Sequence, residues 1–178
     1  PPGEEGFAAR RERHAKLERA LVILVAVGLV GSVMAIGAVH TAVLVPVAAL
    51  AIAAALVAVP LHEASGPSRS WPAPAVLLLG LSLFTALQAL PLPLSVLSKI
   101  APANADIWAR SLLPFGEHPA WGSLSVDPGA TLVESLKWLS YACMFFATAT
   151  LTRRRGTPFG LALVFGSATL LAIVTLLH

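Results

Sequence analysis

Long apolar runs separated by short polar segments form the pattern of this chain. Five runs come close to the roughly 20 residues that a helix, rising about 1.5 Å per residue, needs to cross about 30 Å of hydrocarbon. The pattern predicts an all-α, polytopic transmembrane helix bundle. The five predicted spans lie near residues 20–39, 42–60, 74–93, 131–151 and 158–177.

Two longer polar segments lie outside the predicted spans, one before the first span and one between the third and fourth spans. Residues 1–19 form a basic N-terminal arm, and residues 20–178 form the transmembrane domain, in which residues 94–130 make a long loop. Apolar residues recur in this loop at helical spacing, and prolines bound each group. The two groups are Leu94, Leu97 and Ile100, then Ile107, Trp108 and Leu112. We therefore expect short helices at the membrane interface.

The composition supports an integral membrane protein and argues against a soluble domain or a nucleic-acid-binding protein. The chain is 57% hydrophobic and 12% charged, and its mean hydropathy is +0.81, which is unlike a soluble domain. The net charge of +3 is too small to favour nucleic-acid binding. Cys143 is the single cysteine, so no intrachain disulfide can form. Because metal-ligand spacing, a phosphate loop and a Gly-x-Ser-x-Gly turn do not occur, we expect no metal and no cofactor.

Orientation is predicted from the basic residues. Nine of the twelve Lys and Arg lie in the N-terminal arm, at Arg69, or at Arg153, Arg154 and Arg155. The positive-inside rule then places the N-terminus in the cytoplasm and the loop 94–130 on the outer side of the membrane. The alternative for the first apolar run is a cleaved signal peptide. The run is longer than the apolar region of a typical signal peptide, so a transmembrane span is preferred.

The chain is also expected to be the N-terminal half of a larger protein, since it stops as the fifth span ends.

The stretch from Trp121 to Trp138 is unusually polar for this chain. Asp127-Pro128-Gly129 predicts a turn, and Thr131 with Glu134 matches a capping box that would start the fourth span. Lys137 is expected to pair with Glu134 or to extend toward the headgroups. The alternative is an intramembrane ion pair that lines a substrate path.

Two ordered sequence blocks carry a resemblance. They are "LQALPLPLSVLSKIAP" and "WGSLSVDPGATLVESLKWLSYACMFF", separated by a loop. Together they resemble the N-terminal half of the bacterial O-antigen ligase and O-antigen polymerase superfamily. The matching residues are Gln88, Pro91, Pro93 and Pro102 in the first block, and Trp121, Leu124, Ser125, Asp127, Pro128, Thr131 and Tyr141 in the second.

The resemblance implies a function in cell-envelope or exopolysaccharide biosynthesis. Such proteins transfer a glycan from an undecaprenyl-diphosphate carrier to a glycan or lipid acceptor at the periplasmic face, without metal or nucleotide sugar. The essential arginines and histidine of the family belong mainly to a later outer loop that this chain does not contain. The alternative function is a non-enzymatic membrane scaffold or a transporter component.

No residue of this chain can be assigned as catalytic from its sequence. The weak candidates on the outer side are Arg110, Lys99 and His118, and a solvated or headgroup-bound role is preferred for each. For Trp108 and Trp121, an aromatic belt at the interface is preferred over a platform that stacks on sugars. The expected partners are membrane lipid and the lipid-linked glycan with its acceptor, and not nucleic acid. The sequence does not indicate the oligomeric state.

Overall fold

The structure is a computed structural model that describes residues 4–34, 41–64, 70–111, 113–116 and 119–177. The end of the first predicted span, Arg69 and His118 lie outside these residues. The all-α prediction is confirmed. The elements in chain order are α1 (Glu4–Met34), α2 (Thr41–Glu63), α3 (Ala73–Gln88), β1 (Leu92–Pro93), α4 (Leu94–Ile100), α5 (Pro102–Ser111), a 3-10 turn (Leu113–Phe115), β2 (Trp121–Gly122), α6 (Pro128–Arg155) and α7 (Thr157–Leu177).

Two helices of the described chain, α2 and α7, are long and apolar enough to cross a membrane. Only 28% of the apolar stretch of α2 and 6% of that of α7 are buried inside the protein, so neither is the enclosed core helix of a soluble domain. Both helices support membrane association. The five-span arrangement stays a prediction.

The third predicted span is shorter as a helix than the sequence suggested. The expected span reached residue 93, but α3 ends at Gln88 after 16 residues, or about 24 Å of helix. Pro91 and Pro93 follow, and proline cannot donate the backbone hydrogen bond that a continuing helix needs. The apolar residues after Gln88 instead enter β1 and α4.

The chain divides into two compact units. The first, here called the helical body, comprises residues 1–78 and 139–178, and the second, the loop unit, comprises residues 79–138. Small residues in α2 make close helix packing possible in the helical body. Its core consists of Leu21, Val25, Ala54, Ala58, Leu61, Ala75, Phe146, Ala147 and Leu151.

An ion cluster joins α1 to the end of α6 in the helical body. Glu18 accepts a hydrogen bond of 2.8 Å from Arg155 and one of 3.4 Å from Arg154. The bond from Arg155 holds the pKa of Glu18 below its ordinary value of 4.5, although burial acts in the opposite direction. Arg155 also lies over the ring of Phe159, 5.1 Å from its centroid. The described part of the basic arm, from Glu4 onward, belongs to the same helix, α1, as the first apolar run.

Gly156 makes the connection between α6 and α7. Its φ of +89° lies in the left-handed region, which only glycine adopts at little cost. Its N–H donates to the carbonyl oxygen of Thr152 at 2.8 Å and so caps the end of α6. A single residue therefore separates two long helices.

Candidate functional site

The loop unit brings the two family-like sequence blocks together. The N–H of Ser125 donates to the carbonyl oxygen of Gln88 at 2.9 Å. Leu92 and Pro93 pair in antiparallel register with Gly122 and Trp121. Residues more than 25 positions apart in the sequence thus share backbone hydrogen bonds, which a local turn could not provide.

Helix α5 fixes the second block from one face. The side-chain amide of Asn104 donates to the carbonyl oxygen of Leu124, and the indole N–H of Trp108 donates to that of Ser123 at 3.0 Å. Sequence reasoning did not single out Asn104. Its spacing of four residues from Trp108 was the available signal, since such positions share one face of a helix.

Ser125, Asp127 and Thr131 form a hydrogen-bonded turn at the start of α6. The hydroxyl groups of Ser125 and Thr131 are 2.6 Å apart, and the N–H of Asp127 donates to the Ser125 hydroxyl at 3.1 Å. The Thr131 hydroxyl donates to the carbonyl oxygen of Asp127 at 2.8 Å. Three of the residues that carry the resemblance therefore hold one another in place.

The sequence analysis predicted that Thr131 caps and starts the fourth span, and this prediction is wrong. Helix α6 begins at Pro128, three residues before Thr131. The Asp127 carboxylate accepts the N–H of Ala130 at 2.9 Å and so acts as the N-cap. Proline suits the first helical position because its missing N–H would have no partner there. The Asp-Pro-Gly motif thus starts the helix instead of forming a separate turn.

The predicted pairing of Lys137 with Glu134 is confirmed. The ammonium group of Lys137 lies 2.6 Å from the Glu134 carboxylate, with 30% and 53% of the two side chains exposed. Their spacing of three residues places both on one helix face. The pair stays within α6 and joins no second helix.

Two buried serines link α3 to α6 inside the loop unit. The Ser82 hydroxyl donates to the carbonyl oxygen of Ser135 at 2.9 Å, and the Ser135 hydroxyl donates to that of Ser82, also at 2.9 Å. The two hydroxyl oxygens are 3.2 Å apart. Reciprocal bonds of this kind satisfy polar groups at a helix contact without water, which suits apolar surroundings.

A shallow groove of about 260 Å³ lies along the meeting point of the two blocks. Trp121 is 58% exposed beside it, whereas Trp108 is held by its hydrogen bond to Ser123. None of the described side chains that line it can titrate, so this part of the groove offers apolar surface and no acid, base or cation. The lining residues are Ala89, Pro91, Trp108, Trp121, Gly122, Ser123 and Pro128.

Arg110 and Lys99, the two weak catalytic candidates that the structure describes, do not line this groove. Arg110 pairs with Asp106 on the same surface of α5, at 2.8 Å, and 73% of its side chain is exposed. Lys99 is exposed in the last turn of α4. Neither lines the groove, and His118 lies outside the described residues. The surface role of Arg110 and Lys99 stays a prediction.

No protein family model, characterised protein or solved structure matches this chain. The resemblance to O-antigen ligases and polymerases therefore rests on the two sequence blocks and stays a proposal.

Proposed function

We propose that this chain is the N-terminal membrane portion of an O-antigen ligase-like glycosyltransferase. The complete protein would transfer a glycan from an undecaprenyl-diphosphate carrier to an acceptor at the periplasmic face of the bacterial inner membrane. The observation that carries the proposal is the bond between Ser125 and Gln88, together with the pairing of β1 and β2. These contacts join the two resembling blocks into one surface.

The membrane arrangement follows the sequence-based prediction. We infer five spans, a cytoplasmic N-terminus and a periplasmic loop 94–130. The bias of nine basic residues against two, Lys99 and Arg110, supports this orientation. Two helices that are long and apolar enough to cross a membrane support the membrane class.

The groove in the loop unit would form a wall of the site and would not perform the reaction. Glycosyl transfer needs a base near the acceptor hydroxyl and cations near the leaving diphosphate. The described residues of the groove lining supply neither. Its exposed indole at Trp121 and its two prolines instead present apolar surface, which suits contact with the C–H face of a sugar ring.

The test uses the full-length protein in membranes that contain a lipid-linked glycan. Wild-type protein should consume the lipid-linked glycan and label the acceptor. Trp121→Ala should lower transfer about tenfold if one aromatic contact to the glycan is lost, and Trp121→Phe should retain most of the activity. The free energy of unfolding should change little, because Trp121 is 58% exposed.

Arg110→Ala is the matched control. Arg110 also lies in the loop unit and is exposed, but it pairs with Asp106 away from the groove, so transfer should be unchanged. If wild-type protein leaves the lipid-linked glycan intact, the transferase proposal fails in favour of a scaffold or transporter component. If wild type is active and Trp121→Ala is equally active, only the wall function of the groove fails.

A further inference from the structure

A second cavity lies in the helical body, beside the end of α2. Its volume is about 140 Å³, and it is lined by Val59, His62, Glu63, Trp71 and Phe146. At roughly 30 Å³ per water molecule, it has room for four or five water-sized groups. We call it the His62 pocket.

His62 is the polar group that this pocket leaves unsatisfied. Only 6% of the residue is exposed, yet its Nε2 atom has no hydrogen-bond partner in the described structure. The ring of Phe146 approaches it edge-on at a centroid distance of 5.2 Å, and that of Trp71 lies at 6.2 Å. Buried polar atoms are rarely left without a partner. A ligand in the pocket would supply the partner.

The lining favours a small cation. Trp71 stacks on Phe146 at 4.6 Å with an angle of 16° between the rings, and about half of Trp71 is still exposed. An aromatic face attracts an ammonium group. A neutral imidazole can accept an N–H at Nε2, and Glu63, which carries a carboxylate, is also a lining residue. The aromatic face of Trp71, the Nε2 atom of His62 and the carboxylate of Glu63 all favour a hydrogen-bond donor that carries positive charge.

Arg153 places an anion-binding group next to the pocket. Its Nη1 atom donates to the carbonyl oxygen of Ser70 at 3.4 Å, and Ser70 directly precedes Trp71. Arg154 and Arg155 pair with Glu18, whereas Arg153 has no carboxylate partner among the described residues. A guanidinium without a carboxylate partner keeps donors that suit a phosphate group.

An ammonium site beside a phosphate site matches phosphoethanolamine. We propose that the His62 pocket binds the headgroup of a phosphatidylethanolamine lipid, with its ammonium between His62 and Glu63 and its phosphate on Arg153. The membrane itself would be the source of the ligand, because the pocket adjoins α2, which is long and apolar enough to span a bilayer. This site is independent of the proposed transfer reaction.

The experiment measures lipid binding by native mass spectrometry of the purified full-length protein in detergent. Phosphatidylethanolamine is compared with phosphatidylglycerol, which has the phosphate and lacks the ammonium. The wild-type protein should bind phosphatidylethanolamine at least about fivefold more tightly than phosphatidylglycerol. Glu63→Gln and His62→Phe should each remove this preference, with a loss of about tenfold in phosphatidylethanolamine affinity. Arg153→Gln should weaken the binding of both lipids.

Glu12→Gln and Arg110→Gln are matched controls, since both remove exposed charges elsewhere and should leave the preference intact. Glu63 is exposed, so Glu63→Gln tests the site even if His62→Phe perturbs folding. Equal affinity of wild type for the two lipids would overturn the proposal, as would an unchanged preference in Glu63→Gln. Soluble phosphoethanolamine that displaces the lipid with comparable affinity would contradict a lipid source.

Discussion

The interactions that stabilise the inside of the helical body differ from those that stabilise the inside of the loop unit. Among the buried apolar residues of the described chain, only Leu97 and Ala105 belong to the loop unit. The loop unit instead relies on specific hydrogen bonds, such as those of Ser125 and of the Ser82–Ser135 pair. The helical body packs small and aliphatic side chains, and it leaves the polar atoms His62 Nε2 and Thr150 Oγ1 without partners in the described structure.

This difference predicts how each unit responds to substitution. A packed interface of small residues tolerates changes that keep its volume, whereas a hydrogen-bonded network loses stability when one partner leaves another buried and unsatisfied. The loop unit should therefore be sensitive at the few atoms that make its hydrogen bonds and at positions packed directly against them. The helical body should be sensitive to changes of volume inside its core and tolerant at its exposed positions.

Gly122→Ala is expected to have the largest effect, a loss of about 2 kcal/mol in the free energy of unfolding. A Cβ atom at this position would lie 2.8 Å from the Trp108 ring and 3.0 Å from Leu97. Trp108 cannot move away without losing its bond to Ser123. Thermal unfolding in detergent would measure the loss, and hydrogen exchange would localise it to β1 and β2.

Gly166→Ala is the matched control in α7. A Cβ atom there would meet nothing within 4 Å, and alanine is the better helix former. The substitution should be neutral or slightly stabilising. Equal losses at Gly122 and Gly166 would contradict a tightly packed loop unit.

Asp127→Ala should destabilise the protein by about 1 kcal/mol, the usual cost of removing an N-cap. The Asp127 carboxylate accepts the N–H of Ala130 in the first turn of α6, where an N–H has no carbonyl partner within the helix. Asp127→Asn should retain most of the stability. Glu134→Ala should cost less, about 0.3 kcal/mol, because it only removes a surface pair. The opposite ranking would favour the capping box that the sequence predicted.

The sequence predicted the helical body better than the loop unit. Apolar runs predicted the approximate positions of α2, α3, α6 and α7 and of the apolar part of α1, and proline-bounded spacing predicted α4 and α5, since these signals are local. They did not predict that α1 includes the basic arm from Glu4 onward. Asn104 and Ser82 were missed because their partners, Leu124 and Ser135, lie 20 and 53 residues away. Contacts at such separations leave no periodic signal in one sequence. Ser82 did have a signal as a small polar residue inside a predicted span.

Ser82 and Ser135 should show a coupling energy of about 0.6 kcal/mol or more in a double-mutant cycle, the range found for hydrogen bonds between membrane helices. Each hydroxyl donates to the backbone carbonyl of the other residue, which alanine keeps, so the coupling comes from the 3.2 Å contact between the two hydroxyls. Unfolding of Ser82→Ala, Ser135→Ala and the double variant would measure the coupling. Thr85→Ala is the control for Ser82→Ala, since Thr85 donates within α3 to Leu81 and should not couple to Ser135.

The ion pair of Glu18 is expected to make one of the smallest contributions to stability among these predictions. It tests whether charge, in addition to apolar packing, stabilises the helical body. Because Arg155 lowers the pKa of Glu18 in the folded protein, the ion cluster stabilises the protein above pH 4.5 and loses this contribution as the pH falls through the lowered pKa. The contribution should be about 0.5 kcal/mol, since 23% of the Glu18 side chain and 35% of that of Arg155 are exposed.

Glu18→Gln should remove that part of the pH dependence, and Arg155→Gln should reduce it, when unfolding is followed in non-ionic detergent. Glu12→Gln is the control, because the Glu12 pair with Lys16 is more than two-thirds exposed on both sides and stays within α1. If Glu12→Gln and Glu18→Gln alter the pH dependence equally, the ion cluster does not join α1 to α6 in solution. The helical body would then depend on its apolar packing alone, and its contrast with the loop unit would be sharper.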